Sequence, residues 1–133
     1  MQWDSSKNLG FSSADADKLY LPVDPAVNAP TVESQEADPN SMLHYVRKLI
    51  AFRHANEDLS NYSPFAVYSA EAGNRLFAYK RGNMLVAVNP SLKPLQLKLD
   101  GAYRVAFSMG EANVDAAQLT LGKQSFVVLQ PLA

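Results

Sequence analysis

The chain has 133 residues, 47% of them hydrophobic, and 12 Lys and Arg set against 13 Asp and Glu give a formal net charge of −1. That is enough for one packed domain, and charge so balanced and unblocked excludes the basic footprint of a nucleic-acid or membrane-surface binder. With no cysteine a disulfide framework and a thiolate zinc site are excluded, and no apolar run suggests a signal peptide or membrane span, so the cytoplasm is the expected location.

Residues 1–37 show neither a helical nor a strand period. Gly10, Pro22, Pro25 and Pro30 punctuate them, and Leu19-Tyr20-Leu21-Pro22-Val23 is the one apolar cluster. An irregular, extended segment is expected. A disordered tail would be poor in large apolar groups, whereas this stretch carries Trp3, Phe11, Leu19, Tyr20, Leu21 and Val23, so it has something to pack against.

A helical region is expected over 38–60, with Asp38 as N-cap, Pro39 in the first turn and helix continuing to Asn56. Met42, Leu43, Tyr45, Val46, Leu49, Ile50 and Phe52 sweep an arc of about 180°, wider than the roughly 100° that one packing surface needs. Such a helix is built to be gripped from two sides, which marks Met42, Val46, Leu49, Ile50 and Arg53 as candidate domain-interface residues. Arg53 falls near the middle of the apolar arc, where it either snorkels from the last turn or pairs with an acid across an interface.

In the third region, 61–133, the period becomes 2 from Ser63 onward. The runs FAVYS, RLFAYKR, MLVAV, LQLKL, YRVAFSM, QLTL and SFVVL read as strands separated by Gly73-Asn74, Gly82-Asn83, Asn89-Pro90, Asp100-Gly101 and Gly122-Lys123. An antiparallel β-sandwich is expected, its central strands being the wholly apolar MLVAV and FVVL. Strict alternation places Leu95, Leu97 and Leu99 on a buried face, and likewise Tyr103, Val105, Phe107 and Met109. Gly82-Asn83 suits a two-residue hairpin with a primed turn.

Little in this pattern carries chemistry. His44 and His54 lie about 280° apart around the helix and cannot share a metal, so no metal site and no cofactor are expected. No G-x-S-x-G elbow and no phosphate-cradling glycine motif occurs. Glu33, Glu36 and Asp38 form the densest carboxylate group, which capping of a helix accounts for. Tyr68, Tyr79 and Tyr103, all on strands, are either core residues or a stacking platform for sugar.

The stretches MQWDSSKNLGF, LPVDP and VESQEADPNSMLHYVRKLIAFR resemble the C-terminal third of α-glucosidases and oligo-1,6-glucosidases of the α-amylase superfamily of glycoside hydrolases. The resemblance runs through the chain in order, specific in the loop and helix and general in the strands. It implies that residues 1–37 correspond to the loop after the last strand of a (β/α)₈ barrel, the helix to the last barrel helix, and the remainder to a closing β-domain. Where the family commonly has Gly-x-Pro-Trp, this chain reads ADADKLYLPV, with Tyr20 in place of the tryptophan. Gln2, Trp3 and Asp4 are thereby expected at the rim of a substrate cleft. The aspartate nucleophile, the glutamate acid/base and the stabilising aspartate of that family lie on earlier barrel strands, and no residue here matches them. The resemblance therefore implies a fragment, catalytically incomplete alone, of a retaining α-glucosidase, and its expected partner is the missing catalytic barrel. A stand-alone carbohydrate-binding module with an oligosaccharide partner, or a protein-interaction domain dimerising through the helix face, is the alternative.

Overall fold

The structure is a computed structural model that describes residues 1–132. The chain divides into two compact units, Met1–Ile50 and Ala51 onward. Helix α1 (Val32–Ala37) lies in the first, helix α2 (Met42–His54) continues from the first into the second, and strands β1 to β8 follow.

The first unit is less irregular than its sequence suggests. Short 3-10 turns occupy Lys7–Gly10 and Ala16–Lys18, and α1 lies inside the stretch expected to be irregular. A reciprocal cap starts α1: the Ser34 N–H donates to Thr31 Oγ1 at 3.1 Å and the Thr31 N–H to Ser34 Oγ at 3.0 Å. The next two free amides of the helix, those of Val32 and Glu33, donate to the carbonyls of Gln2 and Trp3 at 3.0 and 2.9 Å. The helix is thus completed by residues thirty positions away, which a local period does not reveal.

The expected cap of α2 is also displaced. The Asp38 carboxylate accepts the Asn40 N–H at 2.9 Å and so closes a tight turn instead of opening the helix. Buried Ser41 takes the capping place: its Oγ accepts the His44 N–H at 3.4 Å and donates to the Gln35 carbonyl at 2.6 Å. Gln35 Oε1 accepts the Leu43 N–H at 3.0 Å, so α1 helps to terminate the free amides of α2. The helix ends at His54, two residues before the expected limit, and the Asn56 side chain donates to the Phe52 carbonyl.

The second unit is an antiparallel β-sandwich. One sheet has the order β1(Phe65–Ser69), β2(Phe77–Arg81), β3(Met84–Asn89), β8(Ser125–Pro131), β5(Tyr103–Met109); the other has the order β4(Leu95–Lys98), β7(Gln118–Leu121), β6(Ala112–Asp115). Leu76, Leu85, Leu119, Leu121, Val127 and Leu129 pack between them, all at or below 1% exposure. The apolar strands β3 and β8 are neighbours in the interior of the larger sheet, as their composition demands. Gly82 has φ +56° and Asn83 does not share a positive φ, the pattern of a primed turn led by glycine.

Two features depart from the strand pattern. Strand β6 was not expected, because its hairpin to β7 turns through Ala116-Ala117 with Ala116 at φ +49° and carries no glycine or asparagine to mark it. In β5 the pairing slips between Val105 and Phe107: Val105 faces Leu129, and Phe107 faces Val128. This bulge at Ala106 carries Phe107 and Met109 to the sheet face opposite Tyr103, where strict alternation had placed all of them together.

The sandwich is pinned at both ends by polar groups. Fully buried Asn89 donates through Nδ2 to the carbonyls of Lys93 and Gly122 at 2.8 and 2.7 Å, with a longer contact to Leu121, and its Oδ1 accepts from Ser91 N and Oγ. At the other end Asp100 accepts from Lys80 Nζ at 2.7 Å and from the Tyr103 hydroxyl at 2.8 Å, while the Tyr68 hydroxyl donates to the Lys98 carbonyl.

Asn89→Ala is expected to lower stability by about 3 kcal/mol, because it leaves several buried partners unsatisfied at once; urea unfolding followed by far-UV circular dichroism measures it. Gly82→Ala is expected to cost about 2 kcal/mol. An added Cβ meets Asp58 Oδ1 at 2.2 Å and the Asp58 Cα at 2.9 Å in a backbone region that disfavours side chains. The same unfolding experiment checks it.

Candidate functional site

The stretch Gln2-Trp3-Asp4 is held by its backbone and by a left-handed turn. The Trp3 N–H donates to the Leu9 carbonyl at 2.8 Å. Asn8, Leu9 and Gly10 all have positive φ, at 54°, 54° and 69°. Asparagine and glycine tolerate this conformation, whereas leucine is strained in it. The Asp4 carboxylate accepts the Ser6 N–H at 2.8 Å and the Ser6 hydroxyl at 2.5 Å, and these bonds hold its pKa below the ordinary value. A Cβ at Gly10 would fall 2.7 Å from Asp4 Oδ1, so the spacing Asp4 to Gly10 is a steric requirement of this turn.

The three expected rim residues therefore differ in what they can do. Trp3 is 50% exposed and offers an indole face. Asp4 is committed to Ser6. Gln2 lines an open depression of about 310 Å³ together with Phe11, Leu21 and Asp24, among others, and neither Trp3 nor Asp4 lines it.

Three carboxylates, Asp4, Glu36 and Asp100, are held away from acid catalysis. Glu36 takes a paired contact from Arg47, at 2.9 and 2.6 Å, and this hydrogen bonding lowers its pKa. Hydrogen bonding from Lys80 likewise lowers that of Asp100. Each of the three carboxyls whose value departs from the ordinary range is displaced downward, away from the raised pKa of a general acid. Among the described residues, no group of three or more His, Asp or Glu is placed to hold a metal ion.

The expected interface residues of α2 are placed as follows. Met42, Val46 and Ile50, four residues apart, are 60%, 43% and 51% exposed, so one helical stripe of apolar side chains faces solvent; Leu49 is half-buried. Arg53 donates to the Leu59 carbonyl and to Asn61 Oδ1 and is thereby fixed on the turn that follows its own helix. His44 contacts the Glu36 carbonyl at 3.1 Å. The tyrosines divide: Tyr103 is buried, Tyr68 packs against the inter-sheet core, and Tyr79 lies between Phe65 and Phe77. That aromatic group, visible only once β1 and β2 are paired, was missed because Phe65 and Phe77 lie in separate strands.

A family model described as the alpha amylase catalytic domain matches residues 1–62. The probable oligo-1,6-glucosidase 2 of Bacillus subtilis is 37% identical over 92 residues, which is 67% of this chain and 16% of that protein. The glucan 1,6-alpha-glucosidase of Streptococcus pneumoniae is 31% identical over 105 residues, 76% of this chain and 18% of that protein. The trehalulose synthase MutB of Pseudomonas mesoacidophila MX-45 superposes with a TM-score of 0.80 at 27% identity, covering 96% of this chain and 24% of that one.

The chain belongs to the α-amylase superfamily. It spans about a sixth of the length of these curated relatives. The catalytic-domain match stops at residue 62, three residues before β1, so the superfamily's catalytic-domain pattern takes in the Trp3 turn and both helices, and the sandwich lies beyond it.

The Glu36 carboxyl is expected to titrate below 4.5 in the native chain and to return toward that value in Arg47→Ala, as followed by carboxyl-carbon NMR. Because its folded pKa is depressed, the stabilisation it brings is present above the unfolded value and is lost as pH falls through the folded one. The acid limb of the stability curve should therefore flatten in the variant.

Proposed function

We propose that this chain is the C-terminal structural part of an α-glucosidase-like glycoside hydrolase, a cytoplasmic enzyme of carbohydrate metabolism that removes terminal α-linked glucose with retention. The observation that carries the reading is the exposed stripe Met42, Val46, Ile50 on a helix that lies within the catalytic-domain match. An apolar stripe on the solvent side of an otherwise capped and paired helix suits burial against further catalytic-domain structure. The two curated relatives described above support the hydrolase class, since both are named as 1,6-glucosidases.

In this reading Trp3 presents its indole toward the substrate cleft of the complete enzyme and Asp4 holds the turn that aims it. Arg53 secures the junction between α2 and the sandwich. The nucleophile and acid/base would come from the barrel, since retaining hydrolysis needs two carboxyls about 5 to 5.5 Å apart and one with a raised pKa, whereas Asp4, Glu36 and Asp100 on this chain are displaced downward.

The chain alone is expected to show no turnover of an aryl α-glucoside. Turnover that survives repurification and disappears on substituting one of its own carboxylates would overturn the reading.

A further inference from the structure

We infer that Asp100-Gly101 is a latent isomerisation site, at which the Asp100 side-chain carboxyl and the Gly101 backbone nitrogen close a succinimide ring when released, and that Lys80 and Tyr103 hold it inert while the sandwich is folded. The inference concerns a covalent change of the chain itself and does not depend on the reading under Proposed function.

Asp100-Gly101 is the one place in the sequence where aspartate or asparagine precedes glycine. Ring closure requires the following nitrogen to reach the side-chain carbon, and a side chain on the following residue hinders that approach. Gly101 offers no such hindrance: a Cβ built there would meet only Tyr103 Cε2, at 3.9 Å. Among the described residues no backbone hydrogen bond takes the Gly101 N–H. The pair lies on the link between β4 and β5, and the Asp100 side chain is 48% exposed, so water reaches it.

In the first step the Gly101 nitrogen bonds to Asp100 Cγ, and the carboxyl hydroxyl leaves as water with the proton from that nitrogen. In the second step water opens the ring. Addition at Cγ restores aspartate, whereas addition at the Asp100 main-chain carbonyl leaves an isoaspartyl link whose backbone runs through Cγ. The water released is the water returned, so no other reactant is consumed.

The fold opposes the first step in two ways. A neutral carboxyl is the competent form, because a carboxylate is a poor electrophile with no leaving group. Lys80 Nζ donates to Oδ2 at 2.7 Å and the Tyr103 hydroxyl to Oδ1 at 2.8 Å, and these bonds, Lys80 first, favour the ionised form. Because the two donors take different oxygens, they also restrain the rotation of the carboxyl and the approach of Cγ to the Gly101 nitrogen. Lys80 stands on β2, its ammonium 5.5 Å over the Tyr68 ring, and buried Tyr103 stands on β5. The restraint therefore exists only while those strands are in place, and a local opening of this end removes it. Isomerisation would then carry the carboxyl away from both donors and make the opening permanent.

The test incubates the full chain at neutral pH, folded or in guanidinium chloride. Trypsin releases Leu99–Arg104, in which Asp100 is the one acidic residue. Isoaspartate in that peptide is measured by chromatography and by methyl transfer from an isoaspartate methyltransferase. It should form at least about tenfold faster in the denatured parent than in the folded one, and about tenfold faster in folded Lys80→Met. Tyr103→Phe should accelerate it by a smaller factor, and Lys80→Arg, which keeps the charge, should return the rate toward that of the parent. Asn89→Ala weakens the opposite end of the sandwich and should leave the folded rate near the parent's. Circular dichroism establishes that each variant is folded, and if Lys80→Met is not, Tyr103→Phe carries the same comparison. No isoaspartate in denaturant, equal rates in the folded and denatured parent, or no acceleration in the folded variants would overturn the inference. Acceleration by Asn89→Ala equal to that by Lys80→Met would also overturn it, since general loosening and not the Lys80 contact would then govern the reaction.

Discussion

The sandwich depends on how its chain passes between two sheets, and one side-chain amide governs three of those passages. Asn89 ends β3 before the crossing to β4, and its Nδ2 reaches the carbonyl of Gly122, where β7 crosses back to β8. The Gly122 N–H in turn donates to the Glu111 carbonyl, on the link from β5 to β6, and the Gln124 N–H donates to the Ser91 carbonyl. Backbone groups at such crossings have no ladder partner, and in a dry interior each would be costly if left unmet. A fully buried asparagine supplies donors and an acceptor at once, so the three crossings close around it. Gly110 and Gly122 are required beside it, since a Cβ on either would lie 2.8 Å from Ser125 or Glu111 side-chain carbon.

With the crossings fixed, the larger sheet has two apolar faces. One meets the smaller sheet across a core of leucine and valine, and the other is partly roofed by Phe52 and Leu59. The bulge at Ala106 is what furnishes the second face with Phe107, and Phe107 then stands between Phe52 and Phe126. The device that interrupts a regular strand thus also provides the contact that seats the end of α2. Arg53 and Arg81 hold the following turn by bonding to carbonyls of residues 59–61, so the helix end and the β2 strand grip the same short segment.

Electrostatics in this chain are structural. The clear carboxylate shifts are downward, each caused first by a hydrogen bond from Ser6, Arg47 or Lys80. The tyrosine shifts are upward and arise first from burial. Groups tuned this way stabilise turns and helix ends at neutral pH and do not exchange protons there. These shifts are compatible with the structural role proposed above, in which the chemistry is supplied by carboxyls held in a different environment.

Much of this was legible in the residues alone. Seven of the strands follow from alternating side chains and glycine or asparagine turns, the central place of β3 and β8 from their continuous apolar runs, and the family from the Met-Gln-Trp-Asp and helix stretches. These signals are local, because a period or a turn residue acts on its immediate neighbours. Tertiary structure alone decided the rest. Ser41 and not Asp38 caps α2 because Gln35 reaches across from α1, and α1 is completed by the carbonyls of Gln2 and Trp3. Phe107 changes face because an extra residue is accommodated against β8, and β6 turns through two alanines, with Ala116 held at positive φ by the pairing with β7. The aromatic group of Phe65, Phe77 and Tyr79, and the exposure of Met42, Val46 and Ile50, exist only once distant strands and helices are in place. Each is a relation between residues far apart in the chain, set by which surfaces meet and which hydrogen bonds remain to be closed, and no period in the sequence encodes it.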